Sequence, residues 1–127
     1  MIKPYLFIEK TPQMGKGVFT KERIPANTVI EISPVIVMKK EDKEHLDKTL
    51  LHDYIFLWGK QQDKCCMALG LIPMYNHSYK SNCEYFMDFE DDTILIETVR
   101  VIEKGEELTI NYNGDPNDGA RVWFDTK

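Results

Sequence analysis

The sequence predicts a mostly β domain with one or two short helices. Three observations carry that expectation. Turn-forming residues recur at short intervals: Lys3-Pro4, Gly15-Lys16-Gly17, Pro25-Ala26-Asn27, Ser33-Pro34, Lys104-Gly105 and residues 113–119. The segments between them are short and rich in β-branched and aromatic residues. Only one stretch, residues 43–56, spaces its apolar side chains near the helical period. Many short strands with frequent turns favour a folded-over, barrel-like β architecture over a layered α/β one.

Taken in order, strands are predicted at residues 5–9, 18–20, 28–38, 84–89, 93–99 and 107–112. Met87 and Ile94 flank Asp88-Phe89-Glu90-Asp91-Asp92, which reads as a hairpin with a solvated acidic turn. Leu46, Leu50, Asp53-Tyr54 and Leu57 suggest a helix over residues 41–52, with Asp42 as its cap. Tyr54, Phe56 and Trp58 then alternate, as in a strand.

The chain has 127 residues, one domain's length, so residues 1–127 are expected to form one unit. Sixteen basic residues stand against 21 acidic ones, for a net charge of −5. That balance argues against a nucleic-acid binder that relies on phosphate contacts, and it is compatible with a basic peptide partner. No apolar run is long enough to cross a membrane, and the first nine residues lack the pattern of a secretory signal. The expected location is cytoplasmic, or nuclear in a eukaryote. Cys65, Cys66 and Cys83 are odd in number and lack metal-site spacing. They read as reduced, buried apolar side chains, and no metal is expected.

Three short constellations could carry chemistry. Gly15-Lys16-Gly17 allows close backbone approach to a ligand, or is simply a tight turn. It is not a phosphate loop, because no GKS or GKT follows. Asn76-His77-Ser78, followed by Asn82, concentrates polar groups at the end of an apolar run. Such groups need partners in each other, in backbone or in a ligand. No GxSxG elbow supports a hydrolytic reading of Ser78 and His77, whereas a Cys–His nucleophile using Cys66 or Cys83 stays open on spacing alone. Residues 105–112, GEELTINY, form a turn and strand leading to Tyr112.

The order of these elements is more specific than any one of them. Gly15-Lys16-Gly17-Val18-Phe19, IPANTVIE at 24–31, Ala68-Leu69-Gly70, NHS at 76–78 with Asn82-Cys83, and GEELTINY resemble the SET-domain family. The resemblance spans residues 15–112. It implies a SET β-clip of small curved sheets with a knot-like core, and an S-adenosyl-L-methionine-dependent protein-lysine methyltransferase. It further implies that Lys16 and Gly17 meet the methionine end of the cofactor by backbone contacts. Asn76 and His77 would hold the adenosyl part, and Tyr112 would stand beside the transferring methyl. Tyr85 would line the lysine channel, with Tyr54 a further channel candidate. Many relatives carry a zinc-binding cysteine-rich tail; here Tyr79 stands where they have cysteine, and residues 113–127 contain none, so no zinc is implied. The tail at 113–127 would instead cover the cofactor, with Trp123 stacked on adenine. The expected partner is a lysine-bearing, basic protein or peptide, without direct nucleic-acid or membrane contact, and the chain would be a monomer or homodimer. The alternative within the family is a non-catalytic module that binds cofactor or peptide.

Overall fold

The computed structural model describes residues 1–113. Nine strands lie among them: β1 (Leu6–Thr11), β2 (Gly15–Thr20), β3 (Val29–Met38), β4 (Phe56–Trp58), β5 (Lys64–Ala68), β6 (Asn76–His77), β7 (Cys83–Asp88), β8 (Thr93–Thr98) and β9 (Glu107–Ile110). One α-helix, α1 (Lys40–Leu46), and two 3-10 turns (Leu50–Asp53 and Ile72–Met74) complete the described elements. The strands form a four-stranded sheet ordered β1-β2-β9-β6 and a five-stranded sheet ordered β4-β5-β3-β8-β7.

The long strand β3 organises the larger sheet. Its Val/Ile-rich sequence pairs with β8 through residues 29–34 and with β5 through residues 35–38. Pro34, which has no N–H to donate, sits where the strand changes partner. The β7–β8 hairpin forms as expected, and the Asp88 carboxylate accepts the backbone N–H groups of Glu90 and Asp91 at 3.0 Å each. Side chains from both sheets meet in one core that includes Val18, Ile30, Ile72, Ile94, Ile96 and Leu108. Cys65, Cys66 and Cys83 are free and buried within the protein, as expected.

The expected helix over 41–52 is shorter. It ends at Leu46, and residues 50–53 form a separate 3-10 turn. Thr49 divides the two: its hydroxyl donates to Leu46 O at 2.7 Å and accepts from Leu51 N at 3.2 Å. A threonine that satisfies backbone groups this way competes with helix propagation. Nor does α1 bury any side chain that would favour extension. Asp42 does not occupy the cap position but lies in the first turn, reaching back to Lys39 N at 3.2 Å. The strand foreseen from Tyr54 begins at Phe56, because Tyr54 closes the 3-10 turn. Strands β5 and β6 were not legible in advance. Cys65 and Cys66 are both buried, so β5 shows no apolar–polar alternation, and β6 has only two residues.

Candidate active site

Strand β6 pairs in parallel with β9, Asn76 opposite Thr109 and His77 opposite Ile110. This pairing places the Asn-His-Ser segment against GEELTINY. Side chains bind the two together. Asn82 donates to Glu107 O and accepts from Thr109 N, both at 2.8 Å, so its amide imitates a strand partner for β9. His77 Nδ1 accepts Tyr112 N–H at 3.1 Å. Tyr112 itself lies just beyond β9, in a turn, rather than at the end of the strand that residues 107–112 had suggested.

β2 joins the same place from the other side, because it pairs with β9 through Val18 and Leu108. The turn between β1 and β2 falls before Gly15, so Lys16 and Gly17 belong to the strand. The Asn76 amide donates to Lys16 O at 3.1 Å and to Glu107 Oε2 at 2.7 Å. Gly17 has room only because it lacks a side chain: a Cβ there would come within 2.9 Å of Asn76 Nδ2 and would overlap the Glu107 carboxylate. Asn76 Oδ1 is buried and has no hydrogen-bond partner among the described residues. The Lys16 carbonyl and the Glu107 carboxylate thus meet at the Asn76 amide nitrogen beside Gly17, which leaves the amide oxygen as an acceptor open to a cationic donor.

His77 contributes the opposite polarity. Since Nδ1 accepts a hydrogen bond, the neutral ring carries its proton on Nε2. Desolvation lowers the His77 pKa, which keeps the ring neutral. Nε2 is buried and unpartnered among the described residues. Orphaned buried polar atoms are rare, and two side by side in sequence point to a ligand with both donors and acceptors.

Beside them stands an aromatic cluster. The Tyr112 ring lies 5.1 Å from His77 and 6.2 Å from Phe56, centroid to centroid, and Phe56 lies 5.6 Å from Tyr85. Tyr112 donates its hydroxyl proton to Tyr75 O at 2.7 Å, and Tyr85 donates to Tyr112 O at 2.9 Å. Burial, reinforced by Tyr54, Tyr85, Asp53 and Glu107, pushes the Tyr112 pKa far up. Burial and the nearby Cys66 push Tyr85 up to about 12. Both phenols are therefore neutral at physiological pH, and Tyr112 cannot serve as a base. With its proton committed to Tyr75, the Tyr112 oxygen meets any other group as an acceptor.

Lys16, Gly17, Asn76, His77, Tyr85 and Tyr112 are accordingly brought together, and Tyr54 caps the 3-10 turn that leads into Phe56. Trp123 and the tail beyond Asn113 lie outside the described residues. Sequence reasoning missed Glu107 and Phe56. Glu107 lay within the quoted GEELT run, and Phe56 within the Tyr54-Phe56-Trp58 alternation. Among the described residues, no group of three or more His, Cys, Asp or Glu side chains is placed to hold a metal ion. No helix there is long and apolar enough to cross a membrane.

Comparison with known proteins agrees with this architecture. A histone-lysine N-methyltransferase of Schizosaccharomyces pombe, H3 lysine-37 specific, is 39% identical over 126 residues, covering 98% of this chain and 80% of that protein. A histone-lysine N-methyltransferase of Cryptococcus neoformans, H3 lysine-36 specific, is 31% identical over 83% of this chain but only 14% of its own length. The crystal structure of a Plasmodium falciparum protein described as a candidate histone methyltransferase superposes with a TM-score of 0.64, over 96% of this chain and 98% of that one, at 24% identity. Residues 15–113 match the SET-domain family profile, and the chain belongs to the SET-domain family of protein-lysine methyltransferases.

Proposed function

We propose that the chain transfers a methyl group from S-adenosyl-L-methionine to the side-chain amine of a lysine in a basic, histone-like protein, leaving S-adenosyl-L-homocysteine. SET methyltransferases in general use this cofactor, which when bound supplies an electrophilic methyl on a sulfonium. The observation that carries the proposal is the pair of orphaned atoms, Asn76 Oδ1 and His77 Nε2, on a segment whose His77 ring lies 5.1 Å from the ring of the buried Tyr112. The residues present fit the cofactor. Lys16 O, Asn76 Oδ1 and the Glu107 carboxylate would receive its ammonium group, which moves Asn76 from the adenosyl part to the methionine end. His77 would address the adenosyl part.

The chain's own groups have a limited chemical task. A free lysine has a pKa of about 10.4, so deprotonating it at pH 7 costs roughly 4–5 kcal/mol. A desolvated, aromatic-lined space lowers that cost by disfavouring the ammonium form. No strong general base is then needed, in keeping with a Tyr112 that cannot become one. The Tyr112 oxygen would accept from the incoming amine and fix its direction of approach. Tyr85, Phe56 and Tyr54 would enclose the aliphatic stem and exclude water, and oriented approach supplies much of the remaining rate.

Calorimetric titration with S-adenosylhomocysteine, with Asn76→Ala as control, tests the cofactor site. A methyl-transfer assay on histone H3 tests the reaction, and Tyr112→Phe should lower turnover at least tenfold while leaving cofactor affinity nearly intact. Cofactor binding without transfer to any lysine protein would leave a binding module instead. Equal loss of binding and turnover in Tyr112→Phe would remove the role assigned to that residue.

A further inference from the structure

A second buried cluster, centred on Glu31, lies one residue away from the site. Glu31, on β3, is 0% exposed. Its Oε2 accepts from Ser33 Oγ at 2.7 Å and from Leu71 N at 2.8 Å, while Oε1 accepts from Tyr75 Oη at 3.1 Å. Gly70 makes the room: a Cβ there would overlap both the Glu31 carboxylate and Ser33 Oγ. Burying a carboxyl group is costly compared with an apolar residue of similar volume. This one is surrounded by donors from three directions, which an apolar residue could not engage.

What those donors have in common is the segment they fix. Leu71 and Tyr75 bracket the 3-10 turn Ile72–Met74, which delivers the chain to Asn76 and His77. Glu31 therefore pins the turn at both ends. Tyr75 is the junction, with its hydroxyl on Glu31 and its backbone carbonyl accepting the Tyr112 hydroxyl at 2.7 Å. The ring is fully buried, so its anchored hydroxyl holds the residue in place and with it the position from which the carbonyl meets Tyr112.

We propose that Glu31 is a positioning residue for methyl transfer, acting through Tyr75 to fix the carbonyl that aims the Tyr112 hydroxyl. This inference rests on the catalytic role proposed for Tyr112 and goes beyond it. Small misplacement of a reacting group lowers rate far more than it lowers ligand affinity. The predicted signature is thus a loss confined to kcat.

The test is a set of variants assayed for kcat and KM on histone H3, for S-adenosylhomocysteine affinity, and for thermal unfolding, all below the lowest Tm. Tyr75→Phe, which removes only the anchor hydroxyl, should lower kcat about tenfold, with KM and cofactor affinity within twofold of the parent protein. Glu31→Ala should do the same or worse, and Glu31→Gln, which keeps an acceptor for Leu71 N and can donate to Tyr75 Oη, should recover most of the loss. The double variant Tyr75→Phe/Tyr112→Phe should be no slower than Tyr112→Phe alone, because the anchor acts only through that hydroxyl. A crystal structure of Tyr75→Phe should show the Tyr112 hydroxyl displaced from the residue-75 carbonyl. Unchanged kcat in Tyr75→Phe, or losses that multiply in the double variant, would overturn the proposal. Full turnover in Tyr112→Phe would instead overturn the role of Tyr112 itself, so the two failures are distinguishable.

Discussion

Two glycines separated by one residue should fail in opposite ways when each is changed to alanine. Gly17 has no positive φ, so alanine meets no backbone strain there. Its new methyl would instead press on Asn76 Nδ2 at 2.9 Å and displace the Glu107 carboxylate. Asn76 is only 1% exposed and cannot move away, whereas Glu107 is half-buried and can swing outward. The variant would lose the 2.7 Å amide–carboxylate bond and disturb the acceptors around it. A hydrogen bond to a charged group is worth about 1.5–3 kcal/mol. That energy bears on folding, while the displaced Asn76 and Glu107 groups bear on binding, so cofactor affinity should fall at least about tenfold, or about 1.4 kcal/mol. Gly15 is the reverse case. It has φ +71°, and a Cβ there would meet nothing within 4 Å. Gly15→Ala should cost about 1–2 kcal/mol through left-handed backbone strain and lower Tm by several degrees, with cofactor affinity within twofold of the parent protein. Titration calorimetry with S-adenosylhomocysteine and thermal unfolding read the two effects separately. If Gly17→Ala bound as tightly as the parent, or if the two variants lost affinity equally, the acceptor cluster at Gly17 would not be the cofactor site.

Three further outcomes follow from the buried polar groups. Gly70→Ala combines φ +65° with overlap on Glu31 and Ser33, so strain of about 1–2 kcal/mol adds to disturbed buried hydrogen bonds. Its Tm should fall on the order of 10 °C in a thermal melt. Burial raises the Glu31 pKa above its usual 4.5, opposed by hydrogen bonds from Ser33, Leu71 and Tyr75 and by the charge of the N-terminus. A carboxyl whose folded pKa is raised binds more protons in the native state, so its contribution to stability falls as pH rises through that window. Urea unfolding should accordingly show Glu31→Gln gaining stability relative to the parent as pH rises from 4 to 8, and a constant difference would contradict this. Because Tyr112 is pushed far up and Tyr85 up to about 12, neither phenol should ionise in the working range. The kcat/KM profile should rise with pH as the substrate amine loses its proton, and show no falling limb before pH 10.

Much of the architecture was legible because local chemistry and tertiary structure agree. The Val/Ile-rich run after Pro25-Ala26-Asn27 became β3 and the Leu-Thr-Ile run after Lys104-Gly105 became β9, and Asn27 adopts the φ of 59° that its turn requires. Residues 41–52 misled, because Thr49 diverts the backbone hydrogen bonds in a way that apolar spacing does not reveal. Strand β5 was hidden because both faces of its Cys65-Cys66 pair are buried, which erases alternation.

The sequence by itself determined the family, since the glycine pair, Asn-His-Ser with Asn82, and GEELTINY occur in the right order and spacing. It also determined which side chains could serve as donors and acceptors. Only the tertiary structure decided which of these meet. Asn76 reaches Lys16 across 60 residues and Glu107 across 31, and Tyr75 reaches Glu31 across 44. The Asn76 contacts depend on β2 and β6 lying on either side of β9, and the Tyr75 contact on the turn before β6 meeting β3 of the other sheet, pairings between distant segments that no local pattern encodes. A residue such as Glu31 reads as one more polar position in a strand until the fold closes around it and leaves its carboxylate no solvent, only three donors.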